Sequence, residues 1–422
     1  MTTVAFSLFA LFGAPLFLLF GAIALYSFQH AGIDTAAIMI EFYRMASAPT
    51  LIAIPLFTFA GYMMAESGTP KRLVNVAQAF VGWLPGGLAV VTIFACAFFT
   101  AFTGASGVTI IALGGLLYPI LVKEKYDDKF SMGLVTSCGS LGLLFPPSLP
   151  LILYGLVANV SIDKLFVAGI LPGIVLVVAL SIYGIYFGMK KEVKRVPFNF
   201  KNIWKSLKEA AWEAPLPLII LGGIYGGFIT ASEAAAVTAF YILIVEVFIY
   251  RDIKLFTDVP RIIRESMVLV GGILIILGVA MGMTNYLVDA QVPMKLFEWV
   301  SQYISSPFMF LVCLNIFLLI VGCLMDIFSA TIVVVPLITP VAYKFGVDPV
   351  HLGIIFLTNL EIGYLTPPVG LNLFISSFRF KRPILELYRI AIPYLIILII
   401  CLLIITYVPS LSLSMIEWMH VK

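Results

Sequence analysis

Apolar residues fill this chain in runs of about twenty, the length of helix that crosses the hydrocarbon core of a bilayer. One run extends from Val4 to Phe28 and another from Pro215 to Phe228, continuing through Ala234 to Tyr250, and similar runs recur along the whole length. The first run lacks a basic flank and is too long and too apolar for a signal peptide, so it is predicted to be the first span. Two short stretches have a different pattern. Leu73, Val74, Ala77, Phe80 and Val81, and again Leu296, Phe297, Val300, Tyr303 and Ile304, share the spacing i, i+1, i+4, i+7, i+8. That spacing predicts amphipathic helices over Lys71 to Leu84 and Met294 to Ile304. A third stretch sets Phe200, Ile203, Trp204, Leu207 and Ala211 against Lys201, Lys205 and Lys208, the pattern of a helix lying in the membrane surface.

Composition agrees with the pattern. The 422 residues are 62% hydrophobic and 11% charged, with a mean hydropathy of +1.10, against about 25% charged in a soluble domain. A soluble globule, a nucleic-acid binder and a disordered chain are excluded, and a multi-pass membrane protein in the lipid bilayer is predicted. The five cysteines, Cys96, Cys138, Cys313, Cys323 and Cys401, lie in apolar stretches without C-x-x-C spacing, and His30, His351 and His420 are scattered; neither pattern suggests a disulfide framework or a zinc site.

The net charge of +3 is small, and only its placement is informative. Lysine and arginine are retained in cytoplasmic loops, and the densest group is Lys190, Lys191, Lys194, Arg195, Lys201, Lys205 and Lys208. Arg251 to Arg264, Arg379 to Arg389, Lys71 with Arg72, and Lys123 to Lys129 mark further cytoplasmic stretches, whereas the surroundings of Asp163, Glu233, Lys295 and Lys344 to Asp348 are predicted outside.

The chain also repeats itself. A shift of 221 positions places Pro119 on Pro340, Lys123 on Lys344, Asp127 on Asp348, Gly142 on Gly363, Pro146-Pro147 on Pro367-Pro368 and Pro172 on Pro393. The loop before the first Pro-Pro segment has three lysines and its counterpart has one, so the two copies are predicted to have opposite orientations. Inverted-topology repeats characterise secondary transporters.

Each copy contains two unusual segments. Leu84 to Val122 is interrupted at Thr103-Gly104-Ala105-Ser106-Gly107, and Pro307 to Tyr343 at Gly322-Cys323-Leu324-Met325-Asp326; both are predicted to be re-entrant helical hairpins. A broken span follows each, with Ser137 to Ser140, Gly142 and Pro146-Pro147-Ser148 in one copy and Asn359, Glu361, Gly363 and Thr366-Pro367-Pro368 in the other. Proline removes a backbone donor and pushes the preceding residue out of the helical region. Unwound backbone at membrane depth is tolerated where it is buried in protein or lines a cavity, and its carbonyls can ligate a cation such as Na⁺. An acid inside an apolar span is a candidate functional group. Asp326 is assigned to the substrate or ion pathway, whereas Glu361 reads equally as a cavity group or as a partner of Arg379. Thr103, Ser106 and Ser140 read as site hydroxyls beside glycine breaks, or as hydroxyls bonded back to their own helices. Gly222-Gly223 and Gly271-Gly272 are expected at helix-packing positions.

These segments, with Ala53-Ile-Pro-Leu-Phe57, Ala60-Gly61, Leu141 to Ser148, Tyr154-Gly155, Leu165 to Gly173, Gly227, Thr230-x-x-Glu233-Ala234 and Gly363 to Phe374, resemble the large permease subunit of tripartite ATP-independent periplasmic (TRAP) transporters, the DctM family. The resemblance covers essentially the whole chain. Where the family's first hairpin tip commonly reads Ser-Gly-Ser-Ser, this chain has Thr103 and Ala105 in place of two serines, and Ala105 offers no hydroxyl.

The resemblance implies an all-α elevator transporter of the bacterial inner membrane that takes up an organic acid with Na⁺ as coupling ion and needs no cofactor. A C4-dicarboxylate or a sialic acid is among the implied substrates. It implies two partners: a small membrane subunit of the DctQ type and a periplasmic substrate-binding protein of the DctP type. It also divides the chain into scaffold helices over 1–68, a first arm helix over 69–84, and a first transport repeat over 85–172 with hairpin 85–122 and broken helix 131–155. Scaffold helices follow over 173–288 with an amphipathic segment at 190–212, then a second arm over 289–305. The second transport repeat covers 306–393 with hairpin 306–343 and broken helix 351–377, and 394–422 is the end of the last helix and the tail. Thr103, Gly104, Ser106, Gly139 and Ser140 would form one sodium site, and Asp326, Asn359, Gly363 and Thr366 the other. Ser106, Asp326, Pro147, Ser148 and Pro368 would meet the substrate.

Two other readings exist. Gly104-Ala105-Ser106-Gly107 matches the G-x-S-G of intramembrane serine proteases, but such a serine needs an embedded histidine, and the candidate, His351, is predicted at the outer start of a span. A passive anion channel is the second. The chain has no G-x-x-x-x-G-K-[ST] motif, so an ion gradient is the expected driving force, worth about 2.3 kcal/mol per net charge per 100 mV.

Overall fold

A computed structural model describes residue 12 and residues 14–191 and 199–419. The start of the first predicted span, Lys194, Arg195 and His420 lie outside these residues. The described chain is helical. It begins with α1 (Leu16–His30), α2 (Ala36–Ala46), α3 (Ala53–Glu66) and α4 (Thr69–Val81). The first copy then runs through α5 (Gly87–Thr103), α6 (Ser106–Lys123), α7 (Asp128–Cys138), a 3₁₀ turn (Leu141–Leu144), α8 (Leu149–Ala158) and α9 (Ile162–Lys190). Next come α10 (Phe200–Glu209), α11 (Leu216–Tyr225), α12 (Ala231–Ile244), α13 (Asp258–Asp289) and α14 (Val292–Ser301). The second copy is α15 (Pro307–Leu324), α16 (Ile327–Lys344), α17 (Pro349–Gly363), α18 (Leu371–Phe380) and α19 (Ile384–Tyr407), followed by α20 (Ser410–Trp418). Eight described helices are long and apolar enough to cross a membrane, and 128–144 with 149–158 makes a further pair bent by 45°.

The duplication read from the sequence is present in the backbone. α16 begins and ends 221 residues after α6, and α17 begins 221 residues after α7. Asp127 and Asp348 cap α7 and α17 identically, each side chain accepting from the backbone N–H groups two and three residues on at 2.8–3.1 Å. A cap of this kind stabilises a helix by about 1 kcal/mol. Both Pro-Pro bonds, Pro146-Pro147 and Pro367-Pro368, are cis.

Glycine allows each broken span to lie on its own hairpin. A Cβ on Gly142 would sit 2.2 Å from the Ala97 carbonyl oxygen of α5, and one on Gly363 would sit 2.6 Å from the Gly322 backbone of α15. The copies are also interleaved: α6 packs on α18 of the second copy, and α16 packs on α8 of the first. Buried residues of both copies form one continuous core.

At the start of α4, Arg72 gathers three acids. Its guanidinium donates to Glu213 (2.7 Å), Asp252 (2.6 Å) and Glu246 (3.0 Å) and stacks over the Tyr250 ring at 3.8 Å. The Thr69 hydroxyl lies 2.7 Å from Glu213 and 2.9 Å from Glu246. Partial burial works against the Arg72 charge, but its hydrogen bonds to Glu213 and Asp252 and the charges of Glu213 and Glu246 hold its pKa above the ordinary arginine value. This cluster ties the first amphipathic helix to the elements around α10 and the end of α12.

Two sequence expectations are corrected here. Among the described residues, Gly222, Gly271 and Gly272 have open space where a Cβ would project and meet no other helix, whereas Gly223 meets the Ile229 side chain. Apolar periodicity could not distinguish a helix face buried in this chain from one facing outward.

Candidate functional site

The first tip is a two-residue break between helices. Gly104 caps α5 with φ +63°, and its N–H donates to the Thr100 carbonyl at 2.8 Å. A Cβ there would also lie 2.6 Å from Leu149, so glycine is required on two counts. Ala105 is extended and α6 starts at Ser106 with no side-chain cap, which leaves its first N–H groups for another partner. The Thr103 hydroxyl is buried and 3.5 Å from the Ala105 carbonyl oxygen.

Behind this tip is Thr100, whose hydroxyl lies 2.7 Å from the Thr109 hydroxyl and 2.9 Å from the Gly139 carbonyl oxygen. A Cβ on Gly139 would be 3.5 Å from the Ser106 carbonyl oxygen. The structure therefore brings Ser106, Gly139 and the adjoining Ser140 together beneath Thr103 and Gly104. Thr100 and Thr109 were missed in the sequence, although Thr100/Thr103 and Ser106/Thr109 place hydroxyls three residues apart on both sides of the tip. Ser148 caps the start of α8 in position only: its hydroxyl donates to the Leu143 carbonyl, beside the Pro146-Pro147 bond.

The second tip is held differently. Asp326 occupies the position of Ala105, is exposed, and its carboxylate accepts from the N–H groups of Phe328 and Ser329 at 3.0 Å each. Asp326 stands at the predicted hairpin tip as an exposed N-cap, and its charge is met by the positive end of α16. The Tyr364 hydroxyl accepts from Ile327 N–H at 2.6 Å, and Gly370 N–H donates to the Cys323 carbonyl at 3.1 Å. These bonds dock the unwound segment after α17 on the tip, so Asp326, Gly363 and the turn carrying Thr366 lie together. The Thr366 hydroxyl bonds back to Ile362 at 3.1 Å, and the Pro368 carbonyl accepts from Tyr388. The Asn359 amide nitrogen donates to Asn315 at 2.7 Å and to Ile355 at 2.8 Å, and its amide oxygen is buried without a hydrogen-bond partner.

Between the tips the two broken spans meet. Ser140 donates to the Glu361 carbonyl at 3.5 Å, and Asn372 donates to the Ser140 hydroxyl at 3.3 Å. The Glu361 carboxylate is buried without a hydrogen-bond partner, so of its two readings the pairing with Arg379 is not made; the Arg379 guanidinium lies beside Gly115 instead. His351 is buried, 3.1 Å from the Ser412 hydroxyl and 3.2 Å from the Thr406 carbonyl oxygen.

Helical hairpins and broken spans duplicated about a shared centre define a secondary-transporter architecture. The Alcanivorax borkumensis YdaH transporter has a similar fold, with a TM-score of 0.59 over 90% of this chain and 88% of that one at 12% identity. The family described as "Tripartite ATP-independent periplasmic transporter, DctM component" matches residues 3–411, and the chain belongs to it. It is 37% identical over 400 residues to the C4-dicarboxylate TRAP transporter large permease protein DctM of Pseudomonas aeruginosa, covering 94% of this chain and 93% of that protein. It is 36% identical to the isethionate TRAP transporter permease protein DctMQ of Oleidesulfovibrio alaskensis, covering 97% of this chain and 65% of that protein. The chain is thus a multi-pass inner-membrane transporter subunit, and membership of that family sets aside the protease reading of Ser106.

Proposed function

We propose that this chain is the membrane pathway for sodium-coupled uptake of a small organic anion. The observation that carries the reading is the asymmetry of the two tips. α6 presents an uncapped N-terminus beginning at Ser106, a setting that favours an anionic group. Asp326 already fills the equivalent end of α16, and its charge has the same sign as a carboxylate. The anion is therefore assigned to Ser106 and the nearby start of α8, with Pro147 and Ser148, while Pro368 bounds the opposite side and Asp326 acts on the cation side.

Sodium is assigned to two oxygen-rich breaks: Thr103, Gly104, Ser106, Gly139 and Ser140 in one copy, and Asp326, Gly363 and Thr366, with Asn359 one turn away, in the other. Thr100 supports the first by fixing the Gly139 carbonyl. Residues 85–172 and 306–393 would move as one body against the remaining helices, with α4 and α14 as arms; their interleaved packing supports that division. A relative named for a C4-dicarboxylate and another named for isethionate favour an anion without choosing one. The name DctMQ, on a protein of which this chain spans 65%, supports a small membrane subunit as one partner, and a periplasmic binding protein completes the three parts.

The test is uptake into vesicles holding this chain and its small subunit, supplied with a carboxylate on its binding protein. Accumulation under an inward sodium gradient is expected. Equal uptake without that gradient would favour a passive channel.

A further inference from the structure

The two copies also meet on the outer side of the molecule. The shift that places Pro172 on Pro393 makes α9 and α19 counterparts, and the two helices pack together. Two hollows share their seam. One, of about 790 Å³, lies where α7, α9 and α19 converge and takes in Tyr183, Phe187, Ile390 and Tyr394. The other, of about 500 Å³, lies between Ile174, Val178 and Ile182 of α9 and Ile397, Ile400 and Ile404 of α19. From the first hollow to the second, numbers fall along α9 and rise along α19, so the helices run in opposite directions and the second hollow continues the first. Ile182 and Ile400 are 62% and 53% exposed, which opens the seam to surrounding lipid.

The two hollows differ in chemistry. The smaller is lined by apolar residues alone and runs about 12 Å along α9 at 1.5 Å per residue, most of the about 15 Å depth of one hydrocarbon leaflet. The larger has an aromatic wall, with Phe130 stacked on Phe187 at 3.8 Å and Tyr183 edge-on to Tyr394 at 5.2 Å. Its mouth is charged. Lys129, Glu386 and Arg389 line it, and none of the three forms an ion pair with another described residue. Asp127 beside them is engaged in capping α7. Lys129 and Arg389 belong to two of the basic stretches predicted at the cytoplasmic surface, which sets the mouth at headgroup level and the apolar hollow at acyl-chain depth. Basic pockets between membrane helices on that side suit phospholipid headgroups. A purely anionic headgroup would face Glu386 as a like charge, whereas one carrying both signs answers all three residues.

We propose that this seam is a binding site for one inner-leaflet phospholipid with a phosphoethanolamine headgroup. The phosphate meets Lys129 and Arg389, the ammonium meets Glu386, and an acyl chain lies along the groove between α9 and α19. The site is separate from both tips, and the assignment does not depend on which anion or cation crosses the membrane.

Two measurements test it. The first is native mass spectrometry of the chain with its small subunit, in micelles containing phosphatidylethanolamine. The wild type should retain one lipid, which phosphatidylglycerol at equal concentration displaces poorly. Retention should fall about tenfold or more when Lys129→Ala and Arg389→Ala are combined, since two charged hydrogen-bond partners are lost, and should also fall in Val178→Trp, which fills the groove. Unchanged retention in both variants overturns the proposal. Equal displacement by free phosphoethanolamine would give the mouth to a soluble ligand, and cross-linking of Ile400→Cys to the small subunit would put a protein in the groove; either result overturns it as well. The second measurement uses the wild-type chain and needs no variant to fold. In vesicles, a phosphatidylethanolamine carrying a photoreactive group on its acyl chain should label 174–182 and 397–404, and unlabelled phosphatidylethanolamine should suppress that labelling. Labelling that does not saturate, and that falls equally on outward residues elsewhere such as Ile275 and Ile316, would mean ordinary surrounding lipid and overturn the site.

Discussion

The Ser140 hydroxyl donates to the Glu361 carbonyl at 3.5 Å, and the two residues are 221 positions apart, the same interval that relates the two copies of the repeat. A residue touching its own repeat counterpart lies at the local axis between the copies. The broken spans therefore meet at their equivalent points, and each tip contributes to a shared centre.

The close crossings beside that centre depend on glycine. Gly142→Ala and Gly363→Ala each drive a methyl group into backbone, and such overpacking costs about 1–3 kcal/mol or more. Both variants should unfold at lower temperature and lose uptake. Gly222→Ala, where a Cβ meets open space, should stay within about 0.5 kcal/mol of the parent. Thermal unfolding of the purified proteins checks all three.

Ser106→Ala removes one hydroxyl from the start of α6. A hydrogen bond to a charged group is worth about 1.5–3 kcal/mol, so substrate affinity should fall about tenfold or more with normal membrane insertion. Unchanged concentration dependence of uptake would remove Ser106 from the anion site.

Asp326 has two separable contributions. Asp326→Asn retains an N-cap acceptor and should preserve stability, whereas Asp326→Ala should cost about 0.5–2 kcal/mol. Both should abolish uptake, because the charge assigned to the cation side is lost in each. Normal transport by Asp326→Asn would leave the residue only its capping role.

Arg72→Ala would leave Glu213 and Glu246, each 1% exposed, without their cation. Removing one partner of a buried ion pair costs about 3–5 kcal/mol. Arg72→Lys should recover only part of this, since an ammonium cannot match the planar fork that reaches three acids. The unfolding temperatures of the two variants should therefore rank Ala below Lys and Lys below the parent.

Much of the fold was legible in the sequence because the repeat is marked by residues with few alternatives. Gly142 and Gly363 are fixed by backbone contact, Asp127 and Asp348 by capping, and the Pro-Pro pairs by their lost donors. Side-chain direction was not legible. Asp326 and Glu361 are both acids in apolar surroundings, yet one caps a helix in the open and the other is buried without a partner, a difference set by tertiary packing. Thr100 and Thr109 escaped notice because a threonine in an apolar run ordinarily bonds to its own helix; only the hairpin fold places them face to face. Gly222, Gly271 and Gly272 meet no other helix among the described residues; spacing does not report what lies outside a helix.

The central claim is that anion and cation cross together through the paired tips. Following labelled sodium and labelled substrate in the same vesicles, with the small subunit and the binding protein present, tests it most directly. The account predicts that sodium enters with the substrate and only when substrate is supplied, and that substrate accumulates against its own gradient. Substrate that merely equilibrates, with no accompanying movement of sodium, would contradict it.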